Sequence, residues 1–293
     1  MTVIVILILF WIFAPWVTQS GTLSAGDWPY LYLENIKEFS LIPNIHYLWL
    51  APYYQSLTKL LVVYAGLSWE VVERVFWFLP FVVVSFWSAY RLTRSALGAL
   101  IYTTNTYALM IVGGGQMGVG LSYAMAPFIL KKFIDLSDSL IYQENIKYQI
   151  SNIKYLIRIG IILAIQVMFD PRIAAVTFGA CLVYLLFQKI SLKDISLGVL
   201  FPLGIALVVN LYWIVPLLIS RASIEGQLSQ ATTGLLKFLS FATFSQTISL
   251  THPNWPENIF GKIYFMRPEF LVLPILAFGN LILRSKIKDQ RSK

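Results

Sequence analysis

The chain has 293 residues, of which 58% are apolar and only 12% charged. An ordinary soluble domain is about 45–50% apolar and about 25% charged, so too little polar surface remains to coat a soluble globule, and the surplus apolar surface is expected to face lipid. The net charge of +8 does not point to nucleic acid, because the basic residues are spread among polar segments with no basic run before the C-terminal tail.

Taken in chain order, the uncharged run Met1 to Val17 reads as an uncleaved first helix, since no Lys or Arg precedes its apolar core as in a signal peptide. Residues 19–47 are polar. Residues 48–67 are long enough to span, but Leu57, Leu60, Leu61 and Tyr64 recur on one helical face, so an amphipathic helix lying on the membrane surface is expected. Further spans are expected at Val71–Tyr90, Ser95–Val112, Gly118–Phe133, Tyr155–Phe169, Ile173–Phe187, Ile195–Ile219 and Phe270–Leu283. Gly113-Gly114-Gly115 lacks the Lys and Ser/Thr of a phosphate loop and reads as a bend between helices.

The fold class that follows is all-α: a polytopic transmembrane helical bundle of about eight spans plus an exterior amphipathic helix, forming a single membrane domain over 1–293. Its exterior loops are 19–70 and 220–268, its cytoplasmic loop is 135–154, and its cytoplasmic tail is 284–293. With both termini inside, the cytoplasmic segments hold 14 of the 22 Lys and Arg, among them Arg91, Arg94, Lys131, Lys132 and the tail. Were 48–67 to span, Arg91/Arg94 and Lys131/Lys132 would move outside. Were 155–187 a single helix, it would be about 50 Å long, too long for a core of about 30 Å.

Three groups carry candidate chemistry. Asp27 stands in Gly26-Asp27-Trp28-Pro29-Tyr30, where Gly26 and Pro29 lead one to expect a tight turn just outside the first helix. It reads either as a general base or metal ligand, or as a loop Asp bonded to its own backbone. Asp170 and Arg172 flank Pro171 at a hairpin between two short spans. They read either as a mutual ion pair capping two helices, or as Arg172 holding a phosphate with Asp170 orienting it or a metal. His252, Trp255 and Glu257 lie in a proline-stiffened loop, where Trp255 either anchors the interface or stacks on a sugar ring or lipid head. Two histidines, His46 and His252, do not make a nucleophilic triad. The lone Cys181 permits no intrachain disulfide. Asn210, inside a span, is expected to bond a neighbouring helix. A divalent metal is left open, with no clear ligand set.

The order of these features resembles the GT-C superfamily of multi-span glycosyltransferases that use polyprenyl-phosphate-linked sugars. The resemblance rests on Gly26-Asp27 after helix 1, on the exterior helix from Ala51-Pro52-Tyr53-Tyr54 to Gly66-Leu67-Ser68, and on the Tyr90-Arg91-Leu92-Thr93-Arg94 helix end. It also rests on Gly114-Gly115-Gln116, Leu121 to Pro127, Asp170-Pro171 and Leu211 to Pro216, which are similar to the YfhO-like group of bacterial and archaeal membrane proteins. The chain departs from the pattern in lacking a carboxylate in the Gly113 to Met117 loop and a WWDxG motif.

The resemblance implies an integral protein of a bacterial or archaeal plasma membrane that transfers sugar at the non-cytoplasmic face. Asp27 then deprotonates the acceptor, and Arg172 or Arg221 steadies the departing lipid phosphate. Membrane lipids, the polyprenyl-phosphate sugar donor and a larger membrane or exterior subunit are the implied partners. The alternative is a non-catalytic membrane subunit or scaffold of an envelope-assembly complex. A lipid or solute transporter ranks third, since the sequence shows neither an internal repeat nor an acidic residue deep in a span.

Overall fold

The computed structural model describes residues 2–23, 52–142, 147–188 and 192–219; every regular element among them is helical, and none is a strand. The elements are α1 (Thr2–Thr18), α2 (Pro52–Lys59, continued by the π-helical turn Leu60–Tyr64) and α3 (Trp69–Thr93, containing a second π-helical turn, Arg74–Phe78). They continue with α4 (Ala96–Thr104), α5 (Thr106–Gly113), α6 (Met117–Tyr142), α7 (Lys147–Phe169), α8 (Pro171–Leu186), α9 (Leu192–Val209) and α10 (Leu211–Ile219). Two compact units divide the chain. The larger comprises residues 1–103 and 111–221; the smaller comprises 104–110 and 222–293, of which only 104–110 are described.

α1 buries a thin edge, Val5, Leu9 and Phe13 at four-residue spacing, and leaves Val3, Leu7, Phe10, Trp11 and Val17 exposed. Aromatic rings fix its C-terminal end: Phe13 lies 4.6 Å from Trp16, and Trp16 lies 4.6 Å edge-on from Phe78 of α3. α2 buries Thr58 and Val62 and exposes Leu57, Leu60 and Tyr64, three of the four apolar residues that the sequence places on one face; the fourth, Leu61, is half-buried. Its hydroxyl at Thr58 accepts the indole N–H of Trp77 at 3.1 Å. Arg94, in the left-handed conformation (φ 56°), ends α3 by donating its backbone N–H to Tyr90.

α3 and α6 run parallel. Phe81 packs beside Gly120, Ser88 donates to the Ala124 carbonyl, and the Trp87 and Phe128 rings lie 4.7 Å apart. The main core is then assembled from four helices. Ile129, Phe133 and Leu136 of α6 meet Leu156, Ile159 and Leu163 of α7, Cys181 and Leu185 of α8, and Val199 and Ala206 of α9. The three- and four-residue spacing within each helix gives each one a single buried stripe. α7 and α9 approach closely at Gly160, where an added Cβ would fall 2.7 Å from the Cβ of Ile205.

Several boundaries differ from those expected. The 95–112 stretch is two helices separated at Asn105, whose Oδ1 accepts the Ala108 N–H at 3.0 Å and restarts the chain as a helix. The 195–219 stretch is likewise interrupted at Asn210. The 135–154 segment is largely helical, because Leu136 and Ser137 are buried, Leu136 against Gly198 of α9, and α6 is thereby extended past its charged residues. Gly113 to Gln116 form the anticipated turn, with Gly115 at φ 82°. By length and composition, Trp69–Thr93 is the one described helix sufficient to cross a bilayer. α4 with α5 qualifies only as a broken pair, and α1, α8 and α9 are apolar but shorter.

Candidate functional site

At the α7–α8 junction, Asp170 is 1% exposed and caps α8. Pro171 follows it at the first helical position, where no N–H is needed. The Asp170 Oδ1 accepts the backbone N–H of Arg172 at 2.9 Å and of Ile173 at 3.0 Å. Its Oδ2 accepts the Arg172 guanidinium at 2.7 Å, while the Arg172 side chain remains 73% exposed. The structure brings Asp170 and Arg172 together as the capping ion pair. Behind the cap, the Ser122 hydroxyl faces the Gln166 and Asp170 carbonyls at 3.2 Å. Gln166 Nε2 donates to the Ser122 carbonyl at 3.0 Å and to the Thr177 hydroxyl at 2.9 Å. This buried polar lattice joins three helices.

A second station forms where α3 begins, from residues that sequence reasoning passed over: Glu70, Glu73 and Arg74. Arg74 donates from Nε to the Trp16 carbonyl at 2.8 Å and from one terminal nitrogen to the carbonyls of Gln19 at 2.7 Å and Gly21 at 2.9 Å. Its other terminal nitrogen donates to the Glu70 carbonyl at 2.8 Å. The fully buried Glu73 accepts the Leu23 N–H at 3.1 Å and lies 3.8 Å from Arg74, and Glu70 accepts the Gly21 N–H at 3.2 Å. The chain leaving α1 is therefore held over residues 16–23 by charge-assisted bonds. Beside this clamp, α1 and α3 enclose an apolar groove of about 250 Å³, lined by Leu9, Phe10, Phe13, Phe78 and Val82, with Arg74 at the clamped end. The available signal was a pair of carboxylates and an Arg at the head of an apolar helix, since charges in such places are costly and pair.

Asp27, Arg221, His252, Trp255 and Glu257 lie outside the described residues. Asn210 donates from Nδ2 to the Ala164 carbonyl of α7 at 3.1 Å and accepts the Trp213 indole N–H at 2.9 Å, the interhelical bond expected of it. Among the described residues, no three His, Cys, Asp or Glu side chains gather as a metal site. Comparison of the chain with models of protein families, with curated proteins and with solved structures finds no match.

Proposed function

We propose that this chain is a polytopic membrane glycosyltransferase of GT-C type, acting on a polyprenyl-phosphate-linked sugar at the non-cytoplasmic face with Asp27 as general base. The membrane part of the reading is supported by the apolar residues that packing leaves uncovered. Val71, Val75, Leu79, Val83 and Trp87 are all exposed and recur every four residues along α3. Val176 and Val183 are likewise exposed on α8, with Phe187 just past its end, as are Leu200 and Val208 on α9. Such contiguous apolar faces are not left in water by a soluble monomer.

The catalytic part rests on one observation: Arg74 both lines the apolar groove and tethers the chain that runs on to Asp27. The last clamped residue is Leu23, and four residues reach at most about 14 Å. A lipid-borne donor lying in the groove and a base on that tether are thus compatible in distance. Arg172, whose side chain is exposed although its guanidinium is bonded to Asp170, or Arg221 would steady the departing phosphate.

The test is transfer from a polyprenyl-phosphate sugar in vesicles containing the purified protein. Asp27→Asn keeps size and polarity but removes the base, so turnover should fall by about 10²-fold or more while insertion is unchanged. Full activity in that variant refutes the catalytic reading and favours the non-catalytic subunit, whose signature is co-purification with a larger partner.

A further inference from the structure

We infer that Arg91 and Lys132 form a binding site for the phosphate of an anionic phospholipid, seated against the exposed face of α3. This rests on the membrane part of the reading above and is independent of the catalytic part.

The site has an apolar body and a cationic rim. Leu79, Val83 and Trp87 are exposed at successive four-residue steps, and the next step is the exposed Arg91. From Leu79 to Arg91 the helix rises about 18 Å, close to the roughly 15 Å of half a hydrocarbon core. An acyl chain along that stripe therefore brings its headgroup to the guanidinium.

The rim is built twice over. Trp87 and Phe128 are ring neighbours on parallel helices, and each is followed one turn later by a cation, Arg91 on α3 and Lys132 on α6. Arg91 lies 5.7 Å from the Trp87 ring centre. The Lys132 ammonium lies 5.2 Å from Phe128 and 5.3 Å from Tyr155 of α7. Ring faces orient a cation without neutralising it. Among the described residues neither cation has an ion pair, and the nearest acid on α6, Asp135, is bonded to Lys131. Arg91 and Lys132 thus bring two positive groups to the end of an apolar stripe, with neither bonded to a carboxylate among the described residues. A phosphodiester supplies the missing negative charge and two oxygens for the guanidinium fork. A zwitterionic headgroup would bring its own cation to the same rim, so the charge favours an anionic lipid.

The experiment uses the full chain in phosphatidylcholine nanodiscs with increasing phosphatidylglycerol, and native mass spectrometry to count retained lipids. Two juxtamembrane cations, each worth about 1 kcal/mol against an anionic surface, predict retention of phosphatidylglycerol over phosphatidylcholine by about tenfold or more. Arg91→Gln with Lys132→Gln should bring that ratio close to one. Arg91→Lys with Lys132→Arg should preserve it, as should Lys59→Gln, which removes a charge elsewhere. Equal retention by the unaltered chain, or a preference that survives the double Gln variant, overturns the site. Displacement of the lipid by millimolar glycerol phosphate overturns the lipid assignment in favour of a soluble phosphate. A chain that stays soluble without detergent and does not enter the nanodiscs refutes the membrane reading, and this inference falls with it.

Discussion

Two buried carboxylates each hold a chain connection in this molecule, and they do so over very different separations in sequence. Asp170 binds residues two and three positions ahead and shares its charge with an Arg that stands in the open. Glu73 binds Leu23, fifty residues back, beside an Arg whose side chain is only 14% exposed. The first is a helix cap that any short peptide could begin to form. The second exists only once α1 has docked on α3, so it secures tertiary structure. A charge-assisted bond out of solvent also costs more to break, because what remains is a buried group without its counterpart.

That contrast orders the expected stabilities. Arg74→Ala should be the most damaging, at about 3–5 kcal/mol, since it uncovers Glu73 and four carbonyls together. Thermal unfolding in detergent should show a drop of about 2–4 °C per kcal/mol. A smaller loss than at Asp170 would break the comparison. Asp170→Ala should cost about 1–2 kcal/mol, the worth of an N-cap. Asp170→Asn keeps an acceptor for the two backbone N–H groups and should lose well under 1 kcal/mol in the same measurement. Arg172→Gln should change the melting temperature least, within about 0.5 kcal/mol, because that exposed partner is largely screened by solvent and salt. Melting the Arg172 and Arg74 variants at low and high salt sharpens the contrast further. Only the first difference from the unaltered chain should shrink as salt rises.

How far the sequence is legible follows the same division. The α7–α8 break could be read at Asp170-Pro171, and the interhelical role of Asn210 could be read from an amide inside an apolar run. The turn at Gly113 to Gln116 was equally plain. Each of these signals is local or concerns a single side chain. The clamp was not legible, because nothing near Glu73 names Leu23 as its partner and nothing near Arg74 names the carbonyls of Gln19 and Gly21. The break at Asn105 did carry a local sign, an Asn three residues before the N–H it caps, but the apolar residues around it suggested an uninterrupted helix. Charge misled in the other direction at 135–154, where Lys131, Lys132 and Asp135 marked an end that burial of Leu136 overrides. Of the candidate site, the sequence located the Asp170–Arg172 pair but could not decide between cap and phosphate holder. Geometry favours the cap, because Oδ1 and Oδ2 are both engaged.

The wide turn at Arg74–Phe78 has a consequence for how this chain can vary. Across it the buried pair Val72 and Glu73 is followed by Trp77 and Phe78, five positions on instead of four. Excising one residue there would restore a regular spiral and swing everything from Leu79 to Thr93 by about 100° about its axis. Phe81, Ser85 and Ser88 would rotate away from α6, and the outward row would be thrown inward. The turn therefore sets the phase between the tethering end of α3 and the end that carries the exposed apolar row, and homologous chains that change length within it must compensate by one residue nearby.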